Sequence, residues 1–437
     1  MITAANTREN LSRHILADGM DVIMDLERSH GSWIVDRRDG TDYLDLYSMY
    51  ASQAIGYNHP KMLEISDDLA RVAIQKPICS DIYTVEMARF MEIFARVAIP
   101  THLPHAFFIE GGALAVENAL KAAFDWKSRL NLASGKDDIP GEVIIHFKEA
   151  FHGRSGYTLS LTNTFDPAKT RLFPKFSWPR IENPKLCFPV DEAELQRVAA
   201  AETRALDQIK QAIDQHGDRI AGLIIEPIQS EGGDNHFRPE FMQALRNLCT
   251  EHRILFILDE VQTGIGLTGR FWAHEHHDVL PDIISFGKKT QVCGILAGPV
   301  LDQVEDNVFR RSSRIASTFG GNLVDMVRCG RILEIIESEG LVEAADQQGA
   351  YLLDRLQDLH ARFPDRVTNV RGQGLLCAFD LPDPDTRARF AADCVAAKVL
   401  VVGCGPRSIR LRPNLNISAS EIDYGLETMA ATLKKMV

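Results

Sequence analysis

Five consecutive apolar residues, Ile254 to Leu258, stop at two carboxylates, Asp259 and Glu260. A run this short and this apolar predicts a strand buried on both faces, as in a parallel sheet covered by helices. The carboxylates then stand at the strand's carboxyl end, the edge where open α/β sheets bind ligands. Val261 to Gly266 follows, with glycines that permit a sharp bend. A second apolar strand, 281–286, leads into Gly287-Lys288-Lys289, and a parallel arrangement would bring an amine to the same edge as Asp259. Adjacent residues of extended chain face opposite ways, so spacing leaves open whether Lys288 or Lys289 reaches that edge.

Other strand ends repeat the pattern. Ala106 to Ile109 leads through Glu110-Gly111-Gly112-Ala113 into a helix predicted over 114–129, and a glycine-flanked helix start is a ready anion site. The apolar stretch 142–147 precedes Phe151-His152-Gly153-Arg154, which offers an aromatic face, a free backbone and a guanidinium fork. Ala221 to Ile225 ends at Glu226, with Glu231-Gly232-Gly233 just beyond. Helical stretches over 192–217 and 239–252 fit crossovers between parallel strands. His274-Glu275-His276-His277 lacks the i, i+4 spacing of a helical metal site, so a solvated turn and no metal are expected.

A carboxylate, an amine and a phosphate-ready helix start together fit pyridoxal 5'-phosphate. That cofactor is carried as a Schiff base on a lysine, and a buried aspartate keeps its ring nitrogen protonated so that the ring draws electrons. The run Asp259-Glu260-Val261-Gln262-Thr263-Gly264, with Pro281-Asp282 and Gly287-Lys288, resembles the class III aminotransferase family of fold-type I pyridoxal phosphate enzymes. The resemblance covers nearly the whole chain. It implies an α/β fold: a large cofactor domain over 56–325, with a mostly parallel seven-stranded sheet flanked by helices, and a smaller α+β domain from segments 1–55 and 326–437.

The resemblance also implies roles. Lys288 would be the Schiff-base lysine, Asp259 the partner of the ring nitrogen and Gln262 a contact of the ring hydroxyl and the substrate. Phe151 and His152 would flank the ring, with Glu226 near it. Gly112 and Ala113 would hold the phosphate, joined by Thr318 from a second subunit, which makes the molecule a homodimer with active sites at its interface. Arg154, Glu231 and Arg410 would face the substrate, and Tyr47 and Tyr50 would line its pocket. Within the family, Gly111 to Lys121, Gly287 to Gly294 and Leu267 are similar to the branch that moves the terminal amine of L-lysine to 2-oxoglutarate. Ala316 and Phe319 depart from the asparagine and tryptophan of that branch, which keeps 4-aminobutyrate, ornithine and diamine donors as alternatives.

Composition narrows the partners. The 437 residues are 45% hydrophobic, enough for a large core, and a formal charge of −12 without a basic block argues against nucleic acid or an anionic membrane. Eight cysteines without a CxxC pair are expected to be reduced and mostly buried. No apolar signal core opens the sequence and no apolar run is long enough to span a bilayer, so a cytoplasmic location is expected. Two other classes are a metal-dependent hydrolase using the histidine cluster and a cofactor-binding regulator, which would normally carry a DNA-binding extension.

Overall fold

The computed structural model describes residues 1–78, 81–136 and 138–436, so the expectation for Cys79 lies outside the described residues. In chain order the strands are β1 (Trp33–Val35), β2 (Asp42–Asp45), β3 (His105–Ile109), β4 (Val143–Phe147) and β5 (Arg180–Ile181). They continue with β6 (Ile220–Ile225), β7 (Leu255–Asp259), β8 (Ile283–Phe286) and β9 (Cys293–Ala297). Last come β10 (Thr368–Gln373), β11 (Leu376–Asp380), β12 (Val399–Leu400), β13 (Val402–Cys404) and β14 (Ser408–Leu411).

Seven of these form one sheet in the order β3-β9-β8-β7-β6-β4-β5. Its pairs from β5 through β8 are parallel, and β9 alone runs against its two neighbours. Consequently β3, β4, β6, β7 and β8 all end at one edge. Leu255 to Leu258 are each no more than 1% exposed. A fully buried aliphatic side chain of this kind contributes roughly 1.5–3 kcal/mol, so the central strands hold the edge rigid. Helices Gly112–Ala133, Glu192–His216 and Pro239–Glu251 connect the strands. The first begins two residues earlier than the apolar pattern indicates, because Gly111 at φ +89° turns the chain directly into it.

Two smaller sheets complete the molecule. β1 and β2 form a hairpin around Asp39-Gly40, and β12 from the other end of the chain pairs with β2. β10, β11, β14 and β13 form a four-stranded sheet in that order. N- and C-terminal segments are therefore knitted into one region. β14 lies inside its sheet, between β11 and β13, and Arg410 on it is 2% exposed.

One expectation needs correction. The His274–His277 stretch is not a solvated turn. His274 and His277 are buried, and the Glu260 carboxylate accepts hydrogen bonds from the backbone N–H groups of Ala273 (3.0 Å) and His274 (2.8 Å). Glu260 also lies 3.1 Å from His274 Nδ1, so the second carboxylate of the 259–260 pair faces inward as an anchor. Of the seven described cysteines only Cys187 is exposed.

Candidate active site

A cavity of about 280 Å³ opens at the common strand edge and is lined by residues from all five strand ends. Gly112 and Ala113 follow β3, Phe151 to Arg154 follow β4, Glu226 and Glu231 follow β6, Asp259 and Gln262 come from β7, and Lys288 follows β8. The backbone is closely fitted here. A Cβ on Gly112 would sit 2.8 Å from Val261 Cγ1, and one on Gly153, at φ +119°, would sit 2.5 Å from Ala113 Cβ. Glycine lets the 112 segment close on Val261 and the 153 segment close on Ala113.

Asp259 is fixed by three contacts. Its Oδ1 accepts from Ser285 Oγ (3.0 Å) and from the Val261 N–H (3.1 Å), and its Oδ2 lies 2.8 Å from His152 Nδ1. His152 thus acts on the carboxylate. Glu226 accepts from the N–H groups of Phe151 (2.9 Å) and Ser230 (3.0 Å) and ties the two loops together. Burial, with the Asp259 charge nearby, pushes its carboxyl up to about 7.

The two lysines diverge, although the chain here is a tight helical turn, Lys288–Thr290, and not the extended strand that alternation assumes. Lys288 lines the cavity in a left-handed conformation at φ +54°, a strained state for a residue with a side chain. Burial pulls its amine below the usual lysine range, partly offset by Asp259. Lys289 turns the other way and donates to the Gln262 carbonyl at 2.9 Å, 2% exposed.

Arg410, on β14, stands behind the cavity wall and pairs with the lining residue Glu231. Its Nη2 donates to Glu231 Oε2 at 3.1 Å, while its Nε and Nη1 are buried without partners among the described residues. Tyr50 lies over the guanidinium, 5.6 Å from it, and Tyr47 meets Tyr50 edge-on at 5.5 Å. Arg154 lines the cavity and is exposed. Thr318 is elsewhere: with Ala316 it lines a separate pocket beside Phe107 and Phe108.

Several participants escaped the sequence reading. Arg412 donates to Gln262 Oε1 at 2.7 Å and to the buried Asp234. Because an arginine only donates, the Gln262 side-chain NH2 is left to face the cavity. Its signal was the Arg410-Leu411-Arg412 alternation, which puts both guanidinia on one face. Lys169, whose Nζ donates to Glu231 Oε1 at 2.9 Å, carried no such signal.

A buried carboxylate, a facing amine, a glycine-lined helix start and an arginine with idle donors accommodate a phosphorylated pyridine aldehyde, and these residues fit it. The comparisons agree. The class III aminotransferase family model matches residues 15–433. The chain belongs to this family of pyridoxal phosphate enzymes and is an aminotransferase. Among its relatives, the L-lysine-epsilon aminotransferase of Mycobacterium tuberculosis is 51% identical, over 99% of this chain and 96% of the relative. That of Amycolatopsis lactamdurans is 50% identical over 98% and 96%. The 4-aminobutyrate aminotransferase of Saccharomyces cerevisiae is 32% identical over 95% and 90%. The solved lysine aminotransferase from M. tuberculosis in its internal aldimine form superposes with a TM-score of 0.96, covering 99% of each chain.

Proposed function

We propose that this aminotransferase moves the terminal amino group of L-lysine to 2-oxoglutarate, giving 2-aminoadipate 6-semialdehyde and L-glutamate. The observation that carries the reading is Arg410, closed on one atom by Glu231 and idle on the other two. L-Lysine entering by its terminal amine has a carboxylate only at its far end, whereas 2-oxoglutarate also carries one next to its keto carbon. Arg154 suits the far carboxylate of both, and Arg410 suits the near carboxylate that only the acceptor has. Glu231 covers Arg410 while lysine is bound, since an uncompensated buried guanidinium is costly.

The remaining roles follow from position. Pyridoxal phosphate, when bound, withdraws electrons from the substrate carbon that bears the amine. Lys288 is the covalent anchor, and its neutral amine, favoured by burial, takes the proton from that carbon. A placed general base is worth typically ~10²–10⁴-fold in rate. Asp259, steadied by His152 and Ser285, holds the ring nitrogen's proton. Gly112 and Ala113 at the helix start receive the phosphate, and Phe151 packs on the ring. Thr318 lies outside its own chain's cavity, so it serves a second subunit's phosphate in a homodimer. A panel of amine donors with 2-oxoglutarate tests the substrate: L-lysine should exceed 4-aminobutyrate, ornithine and diamines in kcat/KM. Preference for any of these overturns the lysine reading and leaves the family untouched.

A further inference from the structure

The Glu231 carboxylate has two cationic partners rather than one. Its Oε2 takes Arg410 Nη2 at 3.1 Å and its Oε1 takes Lys169 Nζ at 2.9 Å. Lys169 closes a short turn, Pro167–Lys169, whose start is capped by Asp166 accepting from the Ala168 N–H at 2.9 Å. Its ammonium also lies over the Phe165 ring at 5.8 Å, and Arg387 packs on the same ring at 5.3 Å. The lysine is therefore held in place independently of Glu231.

Guanidinium geometry makes the second partner consequential. An arginine grips a carboxylate through two parallel bonds either at Nε and Nη2 or at Nη1 and Nη2. Nη2 has one N–H in each fork, and Glu231 holds one of them, so the fork on that side is closed while the buried Nε and Nη1 stand idle. An acceptor carboxylate takes the fork on that side only by displacing Glu231. If Arg410 were the sole cation in reach, the displaced carboxylate would be stranded in a largely buried site, a costly state.

Resting on the reading of Glu231 as the cover of Arg410, we propose that Lys169 is a positioning residue that retains Glu231 when the keto-acid carboxylate displaces it, and so sets the balance between donor and acceptor half-reactions. With Lys169 present, a displaced Glu231 goes from two cationic contacts to one, and without it from one to none. Without it, Glu231 binds Arg410 alone and competes harder against the acceptor.

Single-turnover kinetics of the two half-reactions test this in the holoenzyme. K169M should raise the half-saturating 2-oxoglutarate concentration about fivefold relative to that for lysine, the order expected of a partly exposed ion pair. K169R should restore the wild-type ratio, and in an E231A background K169M should leave the ratio where E231A alone puts it. Equal effects of K169M on both half-reactions, or the same acceptor defect persisting in E231A, would overturn the role of Lys169. Equal slowing of both half-reactions by E231A itself would instead remove Glu231 as a cover, and the proposal with it.

Discussion

Lys288 and Lys289 are neighbours with opposite fates, and the difference is checkable. Lys288 faces Asp259 across the cavity, while Lys289 is committed to the Gln262 carbonyl. Borohydride reduction followed by peptide mapping should place the pyridoxyl group on Lys288, and a label on Lys289 would reverse the assignment. Glu226 makes a second prediction at this scale. Its carboxyl is raised from 4.5 to about 7, so between those values the folded state holds a proton that the unfolded state has released. Stability from this group is therefore full below pH 4.5 and is lost as pH rises to about 7. At ~1.4 kcal/mol per pH unit the loss is on the order of 3 kcal/mol. Chemical denaturation of the cofactor-free protein across that range should show wild type falling relative to E226Q, and parallel curves would refute it.

At the scale of the element, the turn Ser48–Ala51 is the most demanding piece of backbone. Four residues with side chains sit at φ of 45°, 51°, 59° and 64°, a left-handed helical turn that costs roughly 1–2 kcal/mol per residue. The turn brings Tyr50 over Arg410. Asp45 holds it, accepting from the N–H groups of Tyr47 (3.0 Å) and Ser48 (2.8 Å) and from Tyr57 OH (2.6 Å). Ser48 Oγ adds a bond to the Arg412 carbonyl at 2.5 Å. Asp45→Ala strands a buried phenol and two amides, each worth about 1–3 kcal/mol. Its unfolding free energy should drop by about 3 kcal/mol, and its half-saturating 2-oxoglutarate concentration should rise as Tyr50 leaves Arg410. A drop below about 0.5 kcal/mol, the range of an unremarkable surface change, would show that the turn is held by something else.

For the whole molecule, the decisive relation is between the sheets. From the four-stranded sheet and the residue just after it, Arg410 and Arg412 bond Glu231 and Gln262, which line the cavity built by the seven-stranded sheet, and Arg371 clamps the carbonyls of Gly233 and Asp234 beside Glu231. Met49, Tyr50, Leu114 and Phe319 are exposed apolar side chains of the kind a second subunit would cover. Sedimentation should find a dimer at assay concentrations. Thr318→Ala should weaken cofactor binding about tenfold while leaving the dimer intact, in line with the loss of one hydrogen bond to a charged group. An active monomer would overturn both. Among the described residues no helix is long and apolar enough to cross a membrane.

The sequence by itself determined the sheet edge and most of what stands on it. Buried parallel strands must be continuously apolar, and the chain can carry charge only where they end, so Glu226, Asp259 and Lys288 could be located from where hydrophobicity stops. Only the tertiary structure decided which charges meet across the molecule. The Glu231–Arg410 pair spans 179 residues and the Glu231–Lys169 pair 62, and neither has a local pattern, because each depends on how separately folded elements pack. The same holds for Ser48–Ala51. Its residues carry no glycine or asparagine to announce positive φ, and only the hydrogen bonds of Asp45 and the packing around Arg412 hold a left-handed turn that the residues would not adopt alone. His274 was misplaced for that reason too, since the polar stretch gave no sign that the Glu260 carboxylate would draw it inside.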